Sequence, residues 1–363
     1  MFGYRFARRD TPLKGGQVRA FIVGLVMALI LGAILLELSG HNTLDVYQTM
    51  FDTSLRSRRG LSATLTRAVP LGLAGLAVAV AGSMGLWNIG AEGQIIAGAI
   101  GAAWVARLAP DLAGPALIPL MLIGAIAGGA ILALGPAIAR SRLGVNEIIT
   151  TLMLNEVAIR IVRYLVNGPW KDPEGNNFPI APELPEQSAL PSLFERANIG
   201  VVIAAIVIIG VGFFSSRSAW GYELKVAGSS QNAAEYVGIS LRTKILTVLV
   251  LSGAIAGLAG GIELTGSSTR IVEGVANGWG FAGIIVAALA LMRPSGVAAV
   301  AVAFGAVQIG GEAIQTQGVP PTISNILQAL ILFGALAAAV FSNYKLHRPG
   351  TTGANRSTTE ATA

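Results

Sequence analysis

Trp87-Asn88-Ile89-Gly90-Ala91-Glu92-Gly93-Gln94 sets a carboxylate, two carboxamides and two glycines inside an otherwise almost wholly apolar stretch of chain. A charged side chain at membrane depth is expensive and normally faces a bundle interior or a water-filled path, which makes this octapeptide a candidate functional site. Of the 363 residues, 53% are hydrophobic and 12% charged, against roughly a quarter charged in soluble domains. The chain therefore reads as an all-α integral membrane protein. The absence of cysteine excludes disulfides, thiolate metal sites and cysteine nucleophiles, and His41 and His347, both in polar flanks, leave little for imidazole metal chemistry. There is no Gly-x-x-x-x-Gly-Lys-[Ser/Thr], His-Glu-x-x-His or Gly-x-Ser-x-Gly motif and no soluble segment large enough for an enzyme. No cofactor is expected on this chain, and any energy source is external.

Apolar windows of about 20 residues, enough to cross a hydrocarbon core of roughly 30 Å, fall near 18–37, 61–81, 86–107, 113–138, 145–166, 198–214, 245–264, 278–292, 295–312 and 322–341. They imply a membrane domain over 18–341 between a basic tail, 1–17, and a disordered C-terminal tail, 342–363. The basic start suits a signal peptide, but the run behind it is long enough to span and no cleavage site follows, so the tail is expected to stay in the cytoplasm. Ten spans then place Arg140 and Arg142, the loop 215–244 and the C-terminus inside, and the loop 167–197 outside. The charges agree. Asp172, Glu174, Glu183, Glu186 and Glu195 outweigh Lys171 and Arg196 outside, while Arg217, Lys225, Arg242 and Lys244 outweigh Glu223 and Glu235 inside. Arg56, Arg58 and Arg59 dissent, falling nominally outside. Either an interfacial helix using Val46, Met50, Phe51 and Leu55 fills that connection, or the register there differs. The fifth span, punctuated by Asn146, Glu147, Asn155, Glu156, Arg160 and Arg163, is expected to pack within the bundle. Six prolines between Pro169 and Pro191 make the outside segment an ordered loop or cap with little regular structure.

There is an internal echo. Gly144-Val145 with Ile148, Thr151 and Leu152 opens the fifth span as Gly318-Val319 with Ile323, Ser324 and Leu327 opens the tenth, and Asn88 precedes Ile95-Ile96 as Asn277 precedes Ile284-Ile285. Copies offset by five spans run in opposite directions. Spans 2–5 and 7–10 are thus expected to form an inverted-topology repeat, an arrangement that places a transport path at the repeat interface.

Asn88, Glu92, Gln94 and Asn155 are the candidates for a pathway or gate. They admit two readings: polar groups that bond across helices while Gly90 and Gly93 let backbones approach, or a loosened helix with Glu92 facing the path, at a depth near the cytoplasmic end of the third span. Arg67, beside Pro70 in a span expected to kink, can pair with an acid such as Glu92 or Glu147. In the loop 220–244, Asn232 as N-cap with Glu235 three residues on and Gly238 as C-cap predict one short helix over 233–237. That helix is either an ordinary loop element or one that docks into a soluble partner. Gly253, Gly257 and Gly261 recur every four residues on one helix face, for close helix packing.

Asn88–Gln94, Gly144–Asn155, Gly221–Gly238 with Ala227-Gly228 and Ala233-Ala234, and Leu251–Gly261 together resemble the permease subunits of bacterial ABC importers for branched-chain amino acids, simple sugars and nucleosides. The likeness runs from about 61 to 341 and is nearest to the nucleoside and simple-sugar branch. It implies a type II importer permease without ATPase activity, in the bacterial inner membrane with both termini cytoplasmic. The partners implied are a second permease, two cytoplasmic ATPase subunits that hold ATP and Mg, and an extracytoplasmic solute-binding lipoprotein; no nucleic acid is involved. By the same resemblance Gly221, Glu223, Lys225, Gly228, Ala233, Ala234 and Gly238 belong to the region that couples to the ATPase, and 167–197 with 265–277 faces the binding protein. The uncharged groups Asn88, Gln94 and Asn155 suit a sugar hydroxyl or a base edge. Rival readings are a proton-coupled secondary transporter using Glu92, Glu147 or Glu156, a permease for branched-chain amino acids, and a subunit that only anchors a complex.

Overall fold

Every one of the ten apolar segments folds as a helix in the computed structural model, which describes residues 5–8 and 16–347. In chain order these are α1 (Gly16–Leu38), α3 (Arg58–Gly82), α4 (Ala91–Leu108), α5 (Gly114–Leu143), α6 (Glu147–Asn167), α7 (Gly200–Arg217), α10 (Leu241–Glu263), α11 (Trp279–Leu289), α12 (Pro294–Ala313) and α13 (Pro321–Asn343). Among the described residues, five helical stretches are long and apolar enough to cross a membrane: 58–82, 114–143, 200–217, 241–268 and 294–317. The troublesome connection after α1 contains a further helix, α2 (Thr43–Phe51), and a π-helical turn, Asp52–Arg56. Arg56 pairs there with Asp52 at 3.4 Å.

Local chemistry explains the boundaries. Ser57 accepts a hydrogen bond from the Gly60 N–H at 2.9 Å and caps α3, which runs unbroken through Pro70. Asn146 accepts from the Ile148 N–H at 2.9 Å and caps α6, while Gly144 at φ 68° ends α5 in the left-handed region. Gly318, its counterpart in the sequence echo, is also left-handed, at φ 86°.

Contacts divide the chain into a unit of Leu44–Pro321 and a second formed by the described parts of Met1–Thr43 and Thr322–Ala363, rather than into one body over 18–341. Within the second, α1 packs antiparallel to α13 where Gly24 meets Gly334, which brings the start of one beside the end of the other. Residues 344–347, expected in a disordered tail, pair there as an antiparallel strand with residues 5–8. The remaining C-terminal tail, 348–363, lies outside the described residues, as do 1–4 and 9–15.

In the first unit α4 and α5 pack on each other and both pack on α10, whereas α11 and α12 pack on each other and both pack on α3; α3 in turn contacts α10. The fifth segment departs from expectation. α6 buries only one stripe, including Glu147, Thr151, Asn155, Ala158 and Val162, and leaves Ile149, Met153 and Tyr164 exposed at 56%, 66% and 69%. Glu147 and Asn155 are buried because they bond to the chain around the octapeptide, whereas Asn146, Glu156, Arg160 and Arg163 are exposed, so α6 lies at the edge of the unit. The loop 168–199 is ordered against the segment after α10. Ala181, Leu184 and Leu190 donate backbone N–H groups to the carbonyls of Ile271, Thr269 and Thr265, each at 2.9 Å.

Candidate functional site

The octapeptide is a junction of five helices. α3 ends at Gly82, residues 83–90 are non-helical, and α4 begins only at Ala91, so Asn88 and Gly90 precede the helix instead of lying inside a span from 86. Asn88 and Gln94 pair amide to amide, Asn88 Nδ2 donating to Gln94 Oε1 at 2.7 Å and Gln94 Nε2 to Asn88 Oδ1 at 3.2 Å. Asn88 Nδ2 also donates to Ser252 Oγ on α10 at 2.8 Å, and that hydroxyl donates to the Ala77 carbonyl on α3 at 2.6 Å. From α6, Asn155 Oδ1 accepts the Gly93 N–H and its Nδ2 donates to the Ile89 carbonyl, both at 2.9 Å. An added Cβ on Gly93 would sit 3.0 Å from the Asn155 Cα, so only glycine lets α6 come this close.

Glu92 completes the junction by capping α11. Its Oε1 accepts the Gly278 N–H at 2.9 Å and its Oε2 the Gly280 N–H at 2.7 Å. These donors are unsatisfied within their own helix, and the helix dipole favours a negative charge at that end. Asn88, Glu92, Gln94 and Asn155 are 0%, 7%, 2% and 2% exposed, so their bonds are made out of water. The far side of Glu92 borders a cavity of about 150 Å³ whose polar edge is the Arg163–Glu273 ion pair, at 3.3 Å.

Along the helices the junction runs from the first turn of α6, where Glu147 faces the Trp87 N–H, to Ser252 in the middle of α10. The arginine of α3 pairs elsewhere: Arg67 Nη2 donates to Glu312 at 2.9 Å, while Glu147 takes Arg140 at 3.1 Å.

The loop 215–244 contains two helices where one was expected. α8 (Ala219–Ser229) is capped by Ser218, and α9 (Gln231–Tyr236) by Ser230, whose Oγ accepts the Ala233 N–H at 3.3 Å. Asn232 is thus not the cap. Ser230, in extended conformation, reaches the free amide three residues on, which puts Asn232 in the first turn and Glu235 beyond the box position. Gly238 ends the element at φ 81°. Gly221 accepts no side chain because the Ser215 carbonyl abuts it, and an added Cβ on Gly228 would lie 2.7 Å from the Ser83 carbonyl, so α8 sits directly on the turn leading into the octapeptide. Glu223 forms an ion pair with Lys244 on α10. Ala234 is buried, whereas Lys225 and Ala233 are exposed beside Tyr222, Tyr236 and Val237. Those last three, apolar or aromatic yet on the surface, were not singled out from the sequence. Gly253, Gly257 and Gly261 of α10 face α5.

Comparison with known proteins places this arrangement. The family described as branched-chain amino acid transport system / permease component matches residues 60–336. The chain is 34% identical to the glucose ABC transporter permease protein TsgB13 of Haloferax volcanii over 338 residues, covering 90% of this chain and 88% of that protein. It is 33% identical to the guanosine ABC transporter permease protein NupP of Bacillus subtilis, covering 91% and 96%. With the nucleoside ABC transporter permease protein NupB of Lactococcus lactis it shares 32%, covering 88% and 91%. The chain belongs to the branched-chain amino acid transport system permease family.

Proposed function

We propose that this chain is one membrane-spanning subunit of an ATP-driven importer that carries a nucleoside or a simple sugar across the bacterial inner membrane by alternating access. The observation that carries the reading is the near full-length similarity to permeases named for guanosine, nucleosides and glucose. The ten helices would be ten spans with both termini cytoplasmic. Reciprocal packing supports the inverted repeat: α4 and α5 on α10 mirror α11 and α12 on α3, as a two-fold axis in the membrane plane requires. In this reading a second permease completes the path, and two ATPase subunits with ATP and Mg engage the exposed face of α8 and α9. A binding lipoprotein docks on the loop 167–197 and the adjoining 265–277. Glu92 and Glu147 are held by amides and by Arg140, which disfavours these two as proton relays, and Glu156 lies exposed on α6.

Uptake tests this. Proteoliposomes holding the assembled complex and charged with ATP should accumulate labelled uridine or glucose. Uptake driven by a proton gradient without the ATPase subunits would overturn the reading. In the same vesicles Ala233→Asp, an exposed change on α9, should leave basal ATP hydrolysis within about twofold while lowering uptake about tenfold or more, since a charge in a docked apolar surface must be desolvated. Unchanged uptake would remove α9 from the coupling surface. Ala234→Asp would not discriminate, because Ala234 is buried within the chain.

A further inference from the structure

Beside the junction, side chains from both halves meet at the first turn of α11. Trp279, the first residue of that helix, is 4% exposed, and its indole Nε1–H has no hydrogen-bond partner among the described residues. The Arg67 guanidinium of α3 lies 5.2 Å over the indole ring and reaches Glu312 of α12 at 2.9 Å. Glu263 of α10 is within electrostatic reach of the same guanidinium. One turn before Glu312, on the same face of α12, the Gln308 side-chain oxygen is also buried without a partner. Folded interiors hold few such orphaned groups, because each is destabilising unless something satisfies it. Here an orphaned donor stands under one end of an ion pair that joins the two halves, and an orphaned acceptor lies one helical turn along α12 from the carboxylate at its other end.

We propose that Trp279, Gln308, Arg67 and Glu312 form a solute-binding site inside the permease, for an uncharged solute rich in hydroxyl, carbonyl or amide groups. The proposal rests on the transport reading above and adds where the solute is recognised. The indole N–H donates to a solute carbonyl or hydroxyl oxygen, and the Gln308 oxygen accepts a solute O–H or N–H. Arg67 is already engaged by carboxylates, so the site offers no free cation to a phosphate or an amino-acid carboxylate. The backbone N–H groups of Gly278 and Gly280 are likewise unavailable, being held by Glu92. A nucleoside or a simple sugar meets these demands; a zwitterionic amino acid does not.

Two substitutions in the reconstituted complex test the site, with uridine and glucose as probes. Trp279→Phe keeps an aromatic ring under Arg67 and removes only the N–H, and Gln308→Met keeps the side-chain length and removes the amide. Each should lower ATP-driven uptake of the carried probe about five- to tenfold, the loss of one neutral hydrogen bond, with complex yield and basal ATP hydrolysis unchanged. Wild-type uptake that neither variant alters would overturn the site alone. Loss of complex yield in both variants would also overturn it, by marking the two groups as packing elements. Wild-type complex that moves neither probe would overturn the transport reading, and the site with it.

Discussion

Glu92→Ala is expected to remove about 3–5 kcal/mol of folding stability, a large share of the roughly 5–15 kcal/mol that holds a typical protein folded. The carboxylate accepts the N–H groups of Gly278 and Gly280, at 2.9 and 2.7 Å, in a site where Glu92 is 7% exposed. Hydrogen bonds to a charged group contribute about 1.5–3 kcal/mol each. A negative charge at a helix N-terminus adds up to about 2 kcal/mol in partly buried settings, an overlapping contribution. Alanine supplies no acceptor for either amide. Glu92→Gln keeps one oxygen but turns an NH₂ group toward the second amide, so a loss of about 1–3 kcal/mol is expected. Heating the detergent-extracted chain and following its monodisperse gel-filtration peak should give midpoints that fall from wild type through Gln to Ala. A Glu92→Gln chain that melts and assembles like wild type yet transports poorly would place the carboxylate on the solute path instead.

The junction around Glu92 shows what a sequence can and cannot convey. That Glu92 and Asn88 matter was legible, because polar side chains in an apolar chain are exceptional. The partners of Glu92 were not, nor were those of Asn155, because they are main-chain groups at Gly278, Gly280, Gly93 and Ile89, and a main-chain group carries no side-chain signature. Arg67 illustrates a second limit. Glu92 and Glu147 stand as equivalent candidates until the fold brings α12 onto α3 and gives Arg67 to Glu312 instead. Helix positions were readable from apolar length alone, whereas the caps of short helices were not: Ser230 and Asn232 are both good caps, and the extended backbone at Ser230 decides between them. α6 misled for the opposite reason. Glu147 and Asn155 turn inward, but Asn146, Glu156, Arg160 and Arg163 lie exposed along with Ile149 and Met153, which puts the helix at the edge of the unit.

Gly257→Ala, a single added methyl, is expected to prevent stable packing of α10 against α5. An added Cβ would overlap the Ala125 carbonyl oxygen and sit 2.8 Å from the Gly129 Cα. On the opposite side, a Cβ on Gly98 would overlap the Gly257 carbonyl, so α4 is pressed against the same turn. Overpacking a core typically costs about 1–3 kcal/mol when side chains can move aside. Here the obstacles are main-chain atoms of α5, which cannot rotate away, and the α5–α10 contact must open along its length. Helix association in a membrane relies on such close approach by small residues, lacking a hydrophobic drive between apolar helices. The expected result is little or no monodisperse protein after extraction for Gly257→Ala and none for Gly257→Leu. Gly210→Ala is the matched control, since Gly210 of α7 has nothing within 4 Å of an added Cβ. That substitution should be neutral or stabilising by up to about 1 kcal/mol, the helix preference of alanine over glycine. Equal thermal midpoints for Gly257→Ala and Gly210→Ala would mean that α4, α5 and α10 do not meet backbone to backbone, and that the junction they frame around Glu92 is held by its hydrogen bonds alone.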